Sequence, residues 1–329
     1  MKKLMGCMVC AFAACVAQCE ESNNGESDDD GKTKAPRAEE SVKGIFPEDV
    51  KTVGILMPSS VLNRNSLERG IRMLEKAGYK VKLGDYVRGV KEQRPAEDRV
   101  KDFEKIWLDP EVDIIFMARG GVGAVDIIDK IDWEKLRPRK MRVIGFSDIT
   151  LILNTMLGKN VGHPYSGPML SSFTRWDADS RKWFRASLDG APLKPVKAKV
   201  LKRGLAKGLP MGGHLVRMHT LFKKGMAPST AGRIVFFECT ARHLFATMKA
   251  DLEEMRDSGY LKDAAAVVFA DFRHKGEERR KLNEFLPKFA QTLQCPVFAG
   301  YPYGHCPKSY LIDFFRELEI SDDGTVAAK

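Results

Sequence analysis

After residue 50 the apolar positions fall into short continuous runs, separated by stretches in which they recur at helical spacing. Val53-Gly54-Ile55-Leu56-Met57 is such a run, closed by Pro58 and two serines, and Leu67, Ile71 and Leu74 then share one helical face ahead of Gly78. That order predicts a strand followed by a helix. A charged helix around 97–108 leads to a second run, Val112 to Met117, which enters Arg119-Gly120-Gly121-Val122-Gly123. A third run, Arg142 to Phe146, enters Ser147-Asp148 and then an apolar helix from Ile149 to about Leu157. Buried strands alternating with helices predict an α/β fold with a mainly parallel sheet covered on both faces. The rhythm lapses over 171–207, where Asp, Gly, Pro and Lys accumulate, and this stretch reads as a connecting region between an N-terminal domain (45–170) and a C-terminal one (208–329). Beyond it, runs at Arg233–Glu238, Ala265–Ala270 and Pro296–Ala299 predict strands separated by two helices. Leu282, Phe285, Leu286, Phe289 and Leu293 mark the clearer helix, which makes a second α/β or α+β unit.

The first 44 residues do not belong to this pattern. Lys2 and Lys3 precede an almost uncharged run from Leu4 to Gln18, too short to span a bilayer stably and matching a secretory signal over 1–19. Four of the seven cysteines, Cys7, Cys10, Cys15 and Cys19, lie in or at the end of this run. Val16-Ala17-Gln18-Cys19 resembles a bacterial lipoprotein cleavage box and makes Cys19 the candidate lipidation site; an ordinary signal peptide is the alternative. Residues 20–44, rich in Glu, Asp, Ser, Asn and Gly, bury too little apolar surface to order themselves and read as a disordered acidic tether. The expected location is the cell envelope, periplasmic or surface-exposed, with contact to a membrane only through that lipid.

The net charge of +10 is uneven, because residues 1–42 hold 8 acidic against 5 basic side chains and the rest is correspondingly more basic. Such a field favours anionic surroundings. The Lys and Arg residues form no aromatic-interleaved stripe, so no nucleic-acid partner is expected. No cofactor is indicated. His214 and His219 are five apart, His163, His243 and His274 sit in unrelated contexts, and Cys239, Cys295 and Cys306 are widely spaced, so spacing indicates no metal site.

Candidate chemistry clusters where strands end. A serine directly after the run ending at Phe146 points its hydroxyl off the sheet edge beside the first helical N–H groups, which suits a nucleophile. Capping the helix is the commoner use of Ser147. The glycines at 120–123 let a backbone N–H approach a reacting oxygen, or simply form a tight turn; the cluster lacks both a P-loop's Lys-Ser/Thr and the spacing of a dinucleotide fingerprint. Glu238 closes a buried run, where a carboxylate serves an active site or a salt-bridged rim. His305 lies in the glycine- and proline-punctuated loop Tyr303-Gly304-His305-Cys306-Pro307 and could act as a base or a surface group.

In order, Glu92-Gln93-Arg94, Asp98, Asp109-Pro110, Asp113 to Phe116, Ala118 to Gly123, Ile131-Asp132-Trp133, Ile144 to Thr150, Gly212-Gly213-His214-Leu215, Glu238 and Gly304-His305 resemble the serine LD-carboxypeptidases, which include the microcin C self-immunity peptidases. The resemblance implies a doubly wound N-terminal domain and a smaller C-terminal one with the active site between them. It makes Ser147 the nucleophile, His305 the base and Glu238 the carboxylate that orients it. Backbone N–H groups of Gly121 and Asp148 would form the oxyanion hole, and Arg119, Gly120, Gly213 and His214 would line the substrate site. The implied reaction releases D-alanine from the L-centre of a diamino acid in a muropeptide, through an acyl-enzyme; a homodimer is compatible with it. The chain departs from the family at Val122 (usually Tyr), at His214 (usually Asn) and in Cys239-Thr240-Ala241-Arg242-His243, where Asp and a later Glu are usual. The Pro-x-Gly usual after His305 is also missing. Two alternatives follow. One is an aminoacyl-nucleotide or other modified peptide substrate, with Trp176 and Trp183 as stacking candidates. The other is a lipoprotein that binds peptidoglycan fragments without cleaving them.

Overall fold

The computed structural model describes residues 44–172 and 176–329. Cys7, Cys10, Cys15 and Cys19, the signal segment 1–19 and nearly all of the tether lie outside the described residues. The strands are β1 (Thr52–Leu56), β2 (Lys80–Leu83), β3 (Ile114–Met117), β4 (Arg142–Gly145), β5 (His163–Ser166), β6 (Val196–Lys197), β7 (Lys199–Lys202), β8 (Ala206–His214), β9 (Arg233–Cys239), β10 (Ala266–Phe272), β11 (Val297–Tyr301), β12 (Ile312–Asp313), β13 (Leu318–Ile320) and β14 (Thr325–Ala328). The helices are α1 (Arg64–Lys76), α2 (Ala96–Leu108), α3 (Trp133–Leu136), α4 (Thr150–Lys159), α5 (Ala178–Leu188), α6 (Leu215–Lys223), α7 (Phe245–Asp257) and α8 (Gly276–Thr292).

The first sheet runs β12-β5-β4-β3-β1-β2. It is parallel except for β12, which returns from the C-terminal part of the chain to pair antiparallel with β5. Every residue of β1 and β3 is buried, as their unbroken apolar runs require of central strands in a sheet covered on both faces. The strand order reverses between β1 and β3, which opens a crevice at their carboxyl ends, where ligands of such sheets bind. The second sheet runs β6-β14-β13-β8-β9-β10-β11-β7, with β8 to β11 parallel and the outer strands antiparallel.

Between the sheets lies α4, buried along Thr150–Leu157 and packed on β5, β8 and α6. An all-round apolar helix must be covered on all sides, and here one hydrophobic core runs from Phe103 and Trp107 through α4 to Phe236 and Phe298. The described residues of the connecting region 171–207 contain α5 and the two edge strands β6 and β7. The buried face of α5 is Ser180, Phe184, Ser187 and Leu188, so two small polar residues mask its periodicity. Asp177 caps it, accepting from the Ser180 N–H at 2.6 Å. The lysines of β6 and β7 fit edge strands, whose charged side chains discourage pairing with another chain.

Candidate active site

Ser147 stands where β4 ends and a short 3-10 turn begins, and its backbone lies in the left-handed region (φ 62°). Among the described residues only Asn160, at the end of α4, shares that feature without being glycine. A capping serine takes extended dihedrals and accepts a helical N–H, but the Ser147 side chain makes no such bond among the described residues. A serine held in a sparsely populated conformation at a strand-to-helix turn is instead the geometry of an exposed nucleophile. The glycine loop crosses immediately in front of it. A Cβ on Gly120 would lie 2.9 Å from Ser147 Cβ and 3.1 Å from its Oγ, so only glycine fits there.

Asp148 fastens this elbow to its surroundings. Its carboxylate, 1% exposed, accepts from Ser59 Oγ at 2.7 Å and from the Ala124 N–H at 2.8 Å, and it pairs with Arg217 Nε at 2.8 Å. Burial raises its carboxyl above the ordinary value, and the Arg217 guanidinium works against that rise. Across the crevice, the Ser60 N–H donates to the Gly120 carbonyl at 3.2 Å, and Ser60 Oγ accepts from the Val122 N–H at 3.0 Å. Gly121, following in the loop, offers its carbonyl to Arg217 Nη2 at 3.2 Å. Arg119 donates to the Val61 carbonyl at 2.7 Å.

The second sheet supplies the other groups. Glu238, fully buried near the end of β9, takes His305 Nδ1 at 2.6 Å and lies 3.4 Å from the His305 N–H. Gly304 permits the close approach, since a Cβ there would fall 2.5 Å from Glu238 Cγ. The imidazole packs on Phe146, the residue before Ser147, with ring centroids 4.8 Å apart. With Nδ1 bound to the carboxylate, Nε2 is left for a proton from elsewhere. Among the described residues no hydrogen bond joins Ser147 Oγ to His305. His214 is paired with Glu238 in the β8–β9 register, and its ring centroid lies 5.8 Å from that of His305. The Gly213 and His214 segment is held against α4: the His214 N–H donates to Thr150 Oγ1 at 3.0 Å, and the Asn154 side chain exchanges two hydrogen bonds with Gly212.

Ser147, Asp148, Gly120, Gly121, Glu238, His305 and His214 are thus in or beside one crevice, and the side chain of Arg119 is bound to the Val61 carbonyl, next to Ser60. Arg217, Ser59 and Ser60 belong to the same constellation and carry no signature in the sequence, because their partners are up to 96 residues away. Trp176 and Trp183 are not stacking platforms. Trp183 stacks on Tyr310 (centroids 4.1 Å apart) and donates to the Leu311 carbonyl, while Trp176 is buried against Phe184.

The fold brings together three side chains that sequence spacing separates. The ligand atoms of His214, Cys239 and His243 lie within 4.8 Å of one another. Burial, with His243 and His305 adding to it, holds the His214 ring far below its usual pKa; burial and nearby Arg217 bring His243 down to about 4; burial raises the Cys239 thiol.

Residues 53–165 match the LD-carboxypeptidase N-terminal domain and residues 207–319 the LD-carboxypeptidase C-terminal domain. The chain is 26% identical to a probable murein peptide carboxypeptidase of Bacillus subtilis over 82% of its length and 91% of the relative's. It is 21% identical to the microcin C7 self-immunity protein of Escherichia coli over 81% and 88%. It shares the fold of a muramoyltetrapeptide carboxypeptidase from Oxalobacter formigenes, with a TM-score of 0.75 and 24% identity over 84% of this chain and 98% of that one.

Proposed function

The chain belongs to the LD-carboxypeptidase family, and we propose that it is a serine-type peptidase removing the terminal D-alanine from the L-diamino acid of a murein tetrapeptide. The observation that carries this reading is the Glu238–His305 pair at 2.6 Å, packed against the residue beside a strained serine.

In this mechanism His305 Nε2 takes the Ser147 proton as Oγ attacks the scissile carbonyl, and Glu238 holds the imidazole in the tautomer that leaves Nε2 free. The backbone N–H groups of Asp148 and Gly121 face the developing oxyanion; losing one such donor typically costs about 10²–10³ in turnover. His305 then returns the proton to the departing D-alanine amine. Water, deprotonated by the same imidazole, releases the tripeptide from Ser147. A serine–imidazole hydrogen bond that forms only with substrate in place is common in such sites. Because Trp176 and Trp183 are occupied in packing, the aromatic platform that favoured a nucleotide-bearing substrate is gone, and the muropeptide remains the better fit. Chromatography with mass detection of a disaccharide tetrapeptide should show conversion to the tripeptide with free D-alanine, and Ser147→Ala should abolish it. Binding of the tetrapeptide without any conversion would favour the non-catalytic reading.

The location accompanies this proposal. A lipid on Cys19 would anchor the enzyme in the cell envelope beside its polymer. Incorporation of labelled palmitate into the wild-type chain but not into Cys19→Ala is the expected result.

A further inference from the structure

Three residues that the peptidase mechanism does not use form a set of their own. His214 ends β8, Cys239 ends the neighbouring β9, and His243 lies in the turn that follows, its N–H bonded to the Thr240 carbonyl. Their ligand atoms all lie within 4.8 Å of one another. The His214 and His243 rings meet edge to face with centroids 5.0 Å apart. His214 is 4% exposed and its Nδ1 has no hydrogen-bond partner among the described residues. A buried ring nitrogen without a partner costs free energy that a metal–nitrogen bond would recover. His274 Nε2 bonds the His243 carbonyl at 2.6 Å and so fixes the turn that carries the third donor. His243 itself is only half-buried, which leaves a route from solvent.

We propose that His214, Cys239 and His243 are the protein ligands of a zinc site beside the His305 imidazole. One thiolate and two imidazoles are the donors zinc prefers over magnesium or calcium, which select oxygen. Zinc–nitrogen distances of about 2.0–2.1 Å and a zinc–sulfur distance of about 2.3 Å place tetrahedral donors roughly 3.3–3.7 Å apart. The cluster therefore needs to tighten by on the order of 1 Å, a change that side-chain rotation at His243 can supply. Three protein donors leave a fourth position for water or a substrate oxygen, as in zinc sites that bind ligands. Metal binding is read without substrate, so it stands or falls separately from the serine chemistry.

The test is titration of the full chain, stripped with a chelator, with Co²⁺ and then Zn²⁺. The expected result is one ion per chain, with a cobalt–thiolate charge-transfer band and tetrahedral cobalt absorption that zinc displaces. Cys239→Ala should lose the band, and His243→Ala, altered in an exposed turn, should weaken zinc binding by about tenfold or more. Thermal unfolding of both variants in chelator should match that of the stripped wild type, which separates lost ligation from lost folding. No band in the wild type would overturn the proposal. A band surviving in Cys239→Ala would place the metal on other cysteines and overturn it equally, as would unchanged zinc affinity in His243→Ala.

Discussion

Arg217→Met removes the cation from the buried pair that anchors the nucleophile's elbow while keeping most of the side chain's length. Asp148 is 1% exposed, so the lost guanidinium leaves a carboxylate with two hydrogen bonds, from Ser59 and Ala124, and no counter-charge. Breaking a buried pair at one end typically costs 3–5 kcal/mol; the Arg217 side chain is 20% exposed and Asp148 keeps two donors, so about 3 kcal/mol is expected. The loss should depend on pH. Burial already raises the Asp148 carboxyl, and removing Arg217 raises it further. A carboxyl whose folded-state value exceeds its unfolded value of about 3.9 binds protons more tightly when folded. The variant's deficit is therefore greatest above the folded value and shrinks as pH falls toward about 4. Urea unfolding of both proteins across that range measures it, and Asp148→Asn in the Arg217→Met background should recover about half of the deficit by removing the stranded charge. A deficit below about 1 kcal/mol at neutral pH, or one that is constant with pH, would show that Arg217 does not compensate a buried Asp148 charge.

Glu238→Gln should leave the fold intact and lower kcat by about 10⁴, because the amide no longer fixes the His305 tautomer; steady-state kinetics on the tetrapeptide check this. Gly120→Ala brings a Cβ to 2.9 Å from Ser147 Cβ and should cost about 1–3 kcal/mol in thermal unfolding together with most of the turnover. Phe184→Ala, fully buried among Phe46, Phe116 and Trp176, should cost about 3–5 kcal/mol in denaturant titration with kcat/KM of the folded protein unchanged.

The elements that were legible in the sequence are those whose burial is uniform or strictly periodic. β1, β3, β4, β9 and β10 are central strands with unbroken apolar runs, and α1 shows its buried face as Leu67, Ile71 and Leu74. Elements with a mixed environment gave no such signal. β8 carries Gly212 and Gly213 because β9 and α4 approach its backbone closely, and α5 buries two serines. β5 contains Pro164, which reads as a breaker although the strand pairs on both sides. At the site, Ser147, Glu238 and His305 were visible because each ends a strand or sits in a punctuated loop. Arg217 was not, since its role arises only when α6 folds beside the elbow. The proximity of His214, Cys239 and His243 was hidden for the same reason: parallel pairing of β8 with β9 joins positions that sequence spacing separates.

The proposed mechanism requires Ser147 to attack the peptide carbonyl. Its most direct test is intact-protein mass spectrometry after rapid acid quench of the enzyme mixed with excess disaccharide tetrapeptide. The predicted result is a mass increase equal to the substrate minus D-alanine, mapping to the peptide that contains Ser147 and absent from Ser147→Ala. D-alanine release by Ser147→Ala at the wild-type rate, with no adduct in either protein, would contradict it.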